Sequence, residues 1–410
     1  MNIKELSFSE FNTFAEQHPL GNSYQTMNYA LLKSEQGYDY EFVGYCENDT
    51  ILAASLILYK KINNMYYGYA PRGFLIDYSN FYFLKNFTDQ LIDYYDKKGF
   101  IFIKINPEIA IGKLNNSTKQ IEYNDNYHII DNLVKAGYSK LKSNLYFESM
   151  LPRFDAIINL NDFSITSVSK NTRNKIKKAY RKGLHLEECD KDGIDVFYNL
   201  VKAKRLKDSF YYKDQFNDYN QNDYIDLFLV SIDYKEFLIN SQNAYSEELT
   251  RNYILNEKIA YNFKPNVINT KMNSDHALLT YKNDITEASK NLNNPDKVYI
   301  AGALIKKYKN RISFEITGFD KNYKRFAPNY FLHYAILEHY KNKYKYADLN
   351  GISGDFSKDS PYNGLNRFKM GFNPNIYEYI GEFDLVIDER IYDILLRKGY
   401  LSKEFSKENN

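Results

Sequence analysis

Along the first 150 residues the spacing of apolar positions switches repeatedly between two periods. Residues 8–17 and 26–34 repeat at three and four and predict amphipathic helices, whereas residues 41–46 and 51–59 read as strands around the turn Glu47-Asn48-Asp49. Residues 66–69 read as a further strand closed by Pro71-Arg72-Gly73, residues 81–98 as a helix stopped by Gly99, and residues 100–105 as a buried strand ended by Pro107. A helix over 127–136, with Gly137 as its C-cap, completes a first mixed α/β unit.

The second half repeats the theme. A strand is predicted over 155–160, a helix from Ser169 to a stop at Gly183, helices over 196–207 and 223–230, strands over 298–307 and 312–316, a helix over 329–344 and a strand over 346–349. No sequence repeat is evident, but both halves run helices, strand, strand, helix, strand, which permits a duplicated α/β unit. Between them, residues 240–294 change character. Leu278, Tyr281, Ile285, Ala288 and Leu292 alternate spacings of three and four, a coiled-coil seam, while Asn252 and Asn256 interrupt the preceding stripe of Tyr245, Leu249, Ile259 and Phe263. With Pro265, Asn266 and Asn269 as a turn, the segment reads as an antiparallel helical hairpin of about 20 residues per limb, roughly 30 Å long. Two helices lying on the globular body fit the pattern nearly as well. The expected division is 1–152, then 153–239, the arm 240–294, and 295–410 ending in a helix.

Composition narrows the class. A chain of 410 residues suits two or three domains, and 44% hydrophobic with 26% charged residues excludes a disordered or low-complexity protein. Lys plus Arg 54 against Asp plus Glu 52 leaves no whole-molecule attraction to nucleic acid or anionic membrane, so any such binding must come from local clusters. Cys46 and Cys189 match no metal or disulfide spacing, which fits a reducing compartment. With no apolar signal segment at the start and no apolar run of about 18 residues, a cytoplasmic chain that does not span a membrane is expected. The absence of Trp beside 41 Tyr and 28 Phe matches an AT-rich coding sequence and gives the aromatic excess little functional weight.

Several chemistries lack their motifs. The six histidines form no HxxxH or HExxH pair, and there is no GxxxxGK[ST], GxGxxG or GxSxG, so neither a metal nor a cofactor is expected. What stands out instead is cationic. Lys170, Arg173, Lys175, Lys177, Lys178, Arg181 and Lys182 share a helix that contains no acid. This is a polar surface helix or the seat of a phosphate-rich partner, where each neutralised phosphate releases counterions.

Three stretches resemble the Fem family of aminoacyltransferases. They are residues 25–33 (QTMNYALLK), residues 69–77 (YAPRGFLID) with 101–107 (IFIKINP), and residues 350–372 (NGISGDF, then RFKMGF), in order and spread over nearly the whole chain, with Gly351, Gly354 and Gly381 in place. The resemblance implies two tandem GNAT-like subdomains with a helical hairpin inserted in the second. It also implies transfer of an amino acid from aminoacyl-tRNA to an amine of the stem peptide of a peptidoglycan precursor, lipid-linked at the inner membrane face. A CoA-dependent relative would be expected to carry a glycine-rich turn ahead of its phosphate-binding helix. Residues 324–328 here read Lys-Arg-Phe-Ala-Pro, which disfavours CoA. A CoA-dependent N-acyltransferase and a non-catalytic precursor or tRNA binder stand as alternatives.

Transferred residue by residue, the resemblance places Lys369 at the acyl-transfer centre with Phe368 beside it. It places Lys33 and Arg205 on the precursor's diphosphate, for which permanent convergent positive charge is apt, and Tyr211 among the substrate contacts. Arg72 either aims into the cleft or ties its turn to Asp77. The family-like FxRxDP pattern appears as Phe102-Ile103-Lys104-Ile105-Asn106-Pro107, so Asn106 orients an amine by hydrogen bonding but does not deprotonate it. The base is then Asp355 of the NGISGDF loop or the substrate itself. Residues 240–294 hold six basic and six acidic residues, which leaves tRNA to Lys170, Arg173, Lys177, Lys178 and Arg181, and the arm to protein or membrane contacts.

Overall fold

The computed structural model describes residues 1–62, 64–145, 150–204, 209–220, 224–261, 263–294 and 297–399. Its first half runs β1 (Asn2–Glu5), α1 (Phe8–Gln17), α2 (Met27–Ser34), β2 (Asp39–Glu47), β3 (Thr50–Ile62), β4 (Met65–Ala70), α3 (Phe81–Asp96), β5 (Phe100–Ile105), β6 (Ala110–Leu114), β7 (Ile121–Tyr123), α4 (His128–Ala136) and β8 (Tyr138–Lys140). The second half continues with β9 (Phe154–Asn159), α5 (Lys170–Arg181), β10 (Leu184–Cys189), α6 (Ile194–Val201), α7 (Ser209–Asn220), β11 (Ile225–Ile232), α8 (Tyr234–Tyr261) and α9 (Pro265–Asn291). It closes with β12 (Val298–Tyr308), β13 (Arg311–Phe319), α10 (Pro328–Tyr340), β14 (Tyr346–Gly351), α11 (Asn363–Met370), β15 (Asn375–Tyr379), β16 (Phe383–Val386) and α12 (Glu389–Arg397).

Local chemistry sets many of these limits. Ser7 and Glu10 cap α1 reciprocally, each side chain accepting from the other's backbone amide. Gly137 ends α4 at φ 114°, a left-handed conformation that suits a residue without Cβ. On α3 the apolar side chains of Leu84, Phe87, Leu91 and Tyr95 fall on one face and are buried, each stabilising the fold by about 1.5–3 kcal/mol relative to exposure.

The strands form two mixed sheets, in the order β1-β2-β3-β4-β5-β16-β8 and β10-β11-β12-β13-β14-β9-β15-β6-β7. The predicted duplication is visible. The meander β2-β3-β4 leads through α3 to β5, parallel to β4, and β11-β12-β13 leads through α10 to β14, parallel to β13. The units also trade strands. β6 and β7 join the second sheet although they precede residue 152, and β16 returns from the C-terminal end to sit between β5 and β8. A boundary at 152 therefore does not separate the two sheets.

One prediction is corrected: the helix expected over 223–230 is the strand β11. Its run Ile-Asp-Leu-Phe-Leu-Val-Ser-Ile lies between β10 and β12 with seven of its eight positions buried. A central strand covered on both faces loses the period of two that would distinguish it from a short helix.

The arm is an antiparallel pair, α8 with α9, slightly longer than 240–294 at its start. Asn252 does not interrupt its seam. It is buried within it, donating to Ser274 Oγ at 3.0 Å and Asp275 Oδ1 at 2.9 Å. Ala288 is buried as expected, but Leu292 faces solvent. At its base the arm is tied to the body through Asp284, which binds Lys182 and, at 3.3 Å, Arg325.

Candidate active site

The two sheets meet around a polar cleft of about 510 Å³. The loop from Gln17 to Tyr24, Arg72 and Glu108 line it from the first unit, and Asp155, Lys306, Arg311, Ser313 and Asp348 are among its lining from the second. Strand register builds its floor. β13 and β14 pair only through Arg311–Tyr346, Ile312–Ala347 and Ser313–Asp348, and beyond that point they part. β9 sets Asp155 opposite Gly351 of β14 on one side and Tyr377 of β15 on the other, at the end of an apolar strand where a carboxylate is buried.

Arg72 comes from the opposite unit. Its backbone is left-handed at φ 50°, and its amide is held by Asn106 Oδ1 at 2.8 Å. Its Nη2 donates to Pro152 O at 2.8 Å and to Asp155 Oδ2 at 3.2 Å, and its guanidinium lies 4.7 Å over the Tyr379 ring. Its ion pair is with Asp155 rather than Asp77, whose carboxylate accepts from Ser79 N. Beside this pair Arg311 binds Glu108. Burial, reinforced by Asp348, pushes the Asp155 carboxyl up to about 7, although Arg72 and Lys369 pull it down. Burial also raises Asp348, against the pull of Arg311. A buried carboxyl that titrates near neutrality, set against fixed cations, suits proton transfer from an amine.

The expected site residues distribute as follows. Lys369, on α11, is buried behind the cleft floor. Its Nζ donates to the carbonyls of Asn350 at 3.0 Å and Gly351 at 2.5 Å, where β14 ends, and its charge acts on both Asp155 and Asp348. Phe368 packs edge-on against Tyr330 at 5.0 Å and His333 at 4.8 Å. Asn106 is 2% exposed and accepts from Tyr69 Oη and the Arg72 amide, which makes it a support for Arg72. Asp355 accepts from Ser357 N at 3.0 Å, and this bond lowers its pKa, so it holds a turn and is a weak base.

Lys33 does not line the cleft. Its Nζ meets Gln36 Oε1 at 3.0 Å and lies 5.7 Å from the Tyr29 ring. The cleft residue Lys306 approaches that same ring at 6.0 Å. Tyr211 is half-buried, with its ring 5.2 Å from Tyr212 and its phenol pKa raised by burial. Arg205 lies outside the described residues. On α5, Thr172, Ile176 and Ala179 face the core, Lys170 and Lys177 are exposed and Lys178 is half-buried. Arg173 donates to the carbonyls of Thr166 and Val168, and Arg181 to Tyr281 Oη.

His185, Asp233 and Glu236 form a group with metal-ligating atoms within 4.8 Å of one another. They lie at the surface outside the cleft, and Asp233 is occupied in capping the amide of Glu236. Sequence reasoning missed Asp155, Asp348, Glu108 and Arg311. The available signal was an acid inside an apolar strand run, as in Phe154-Asp155-Ala156-Ile157-Ile158.

A family model described as FemAB matches residues 6–396. The chain is 25% identical to a lipid II:glycine glycyltransferase of Staphylococcus epidermidis over 96% of this chain and 95% of that one, and 25% identical to its Staphylococcus aureus counterpart over the same shares. A crystal structure of FemX superposes with a TM-score of 0.75 at 20% identity, over 96% of this chain and all of that one. With the family model spanning nearly its whole length, the chain belongs to the FemAB family.

Proposed function

We propose that this protein is an aminoacyltransferase that moves an amino acid from aminoacyl-tRNA to an amine of the stem peptide of a lipid-linked peptidoglycan precursor. The observation that carries the reading is Asp155, buried in the cleft between the units and paired with Arg72. The staphylococcal relatives, which are lipid II:glycine glycyltransferases, supply the substrate class.

The ester of the donor is already activated, so the protein must align the amine, take a proton and stabilise charge. The amine nitrogen attacks the ester carbonyl, and the new C–N bond leaves an oxyanion. Collapse breaks the C–O bond to the ribose. Asp155 accepts the proton the nitrogen loses and returns it to the departing ribose oxygen, so no net proton is left on the protein. Positioned proton transfer of this kind contributes about 10²–10⁴ in rate. Arg72 anchors Asp155. Lys369 holds the end of β14 where the strands part and keeps the carboxyl from remaining protonated, a positioning role at the centre the resemblance implies. Phe368 and Tyr211 stay substrate contacts in this reading, and Lys33, with Arg205, the hold on the diphosphate. Lys170, Lys177 and Lys178 offer α5 to the tRNA, beside Arg173 and Arg181.

Against CoA stands the start of α10. Pro328 opens it without an N–H, and Arg325 is bound to Asp284 and Glu287. The test incubates purified protein with charged tRNAs and either lipid-linked or nucleotide-linked precursor, and weighs the product. The proposal expects a mass gain of one amino-acid residue that requires charged tRNA, whereas turnover with acetyl-CoA alone would defeat it.

A further inference from the structure

We propose that the tip of the α8–α9 arm docks on an anionic membrane surface. Several of its large apolar side chains are turned outward. Tyr261 and Phe263, at the turn, are 91% and 74% exposed, and Tyr253 and Ile254 near the end of α8 and Ile268 and Met272 near the start of α9 are also exposed. Toward the base Phe237, Ser241 and Ala288 are buried against their neighbours, while Ile239, Leu249, Leu279 and Leu292 are exposed singly along the arm. The Asn252–Ser274 contact fixes the register, so Ile254 and Met272 each stand two positions nearer the tip at the same level. Eight residues separate Tyr253 from Tyr261 along α8, so the patch reaches about 12 Å back from the turn. That is close to the depth of about 5–10 Å at which interfacial helices bury their apolar side.

Charge selects the occupant. Residues 240–294 are neutral as a whole, but the tip from Asn252 to Met272 carries Lys258, Lys264 and Lys271 against Glu257. The excess of acids falls toward the base, beginning with Asp275, which meets Lys271 at 2.6 Å. A convex, aromatic, weakly cationic tip matches an anionic lipid surface. Rings and thioether enter the headgroup region, while lysine ammonium groups stay in water on apolar stems. An RNA surface would put the cations first, as α5 does. Among the described residues no helix is long and apolar enough to cross a membrane, so this contact is peripheral. It gives an enzyme with a lipid-linked acceptor, the reading it rests on for its purpose, a second foothold beside the substrate.

The test does not depend on that reading. The chain contains no Trp, so Phe263→Trp in the full-length protein places one reporter at the tip. Vesicles of phosphatidylcholine with phosphatidylglycerol, free of precursor, are expected to shift its emission to the blue, and added salt to weaken the shift. In co-sedimentation, the Tyr261→Ser, Phe263→Ser double variant is expected to bind such vesicles about tenfold or more weakly, with unchanged transfer to a nucleotide-linked precursor. No shift with vesicles would overturn the proposal. So would a shift given by tRNA alone, or one that rises with protein concentration alongside a dimer in sedimentation.

Discussion

In water the carboxyl of an aspartate ionises near pH 4. In the cleft, burial and Asp348 hold the Asp155 carboxyl up to about 7. Transfer should therefore rise as pH rises through about 7, and a pH–rate profile of kcat/KM for Lys369→Met should show this acid limb displaced to higher pH, because a cation that favours ionisation is gone. The stability linkage has the opposite sense. Between about pH 4 and 7 the unfolded chain has released the proton that the folded chain retains, so stability declines as pH rises through that window. Elsewhere a buried charge is purely structural. Lys104, 3% exposed, binds Asp384 at 2.8 Å, which also accepts from Tyr392 Oη at 2.7 Å. Lys104→Met should cost about 3–5 kcal/mol in urea unfolding, because it strands a buried carboxylate. Sequence showed Asp155 at the head of a predicted strand and Arg72 in a turn. Their pairing, across 83 positions, was hidden because it depends on how two sheets dock, which no local period encodes.

At the scale of elements, the arm and α5 act as one piece. Lys182, the last cation of the basic run, is buried against Asp284 of α9, with Phe237 and Phe326 at 4.6 and 5.1 Å from its Nζ. Burial holds its pKa down, to about 8. Asp284→Asn should leave this ammonium without its partner and destabilise the protein by about 3–5 kcal/mol. Faster amide exchange should accompany it in α5 and the arm's base, as hydrogen-exchange mass spectrometry would register. The arm was legible from its three-and-four spacing and its proline turn. Its polar seam residues, Asn252 and Asp284, were not, since a side chain's value in a seam depends on the partner it meets. β11 escaped for a related reason: an apolar run of eight residues satisfies strand and helix alike.

At the scale of the molecule, the exchanged strands make the two units interdependent. β16 pairs with both β5 and β8, and β6 pairs with β15. Residues 1–152 expressed alone should lack the strand that fills the gap between β5 and β8. They should give a poorly dispersed amide spectrum and no cooperative melt, whereas an autonomous unit would give a dispersed spectrum and a cooperative melt. The order strand, strand, helix, strand in each half was readable from apolar periods, but β11, the parallel pairing and the exchange were not. β6, β7 and β16 are three to five residues long, too short for a period to declare itself. The same docking that trades strands creates the cleft, so fold and chemistry share one cause.

The central claim is that a buried carboxyl between the units takes the proton from an attacking amine. It is tested most directly by comparing single-turnover transfer from aminoacyl-tRNA to lipid-linked precursor in the unaltered protein and in Asp155→Asn, across pH. The account predicts that the variant, although destabilised by loss of the Arg72 pair, still folds, transfers about 10²–10⁴ times more slowly and loses the acid limb near neutrality. Transfer by the variant at the unaltered rate, with the same pH profile, would contradict it.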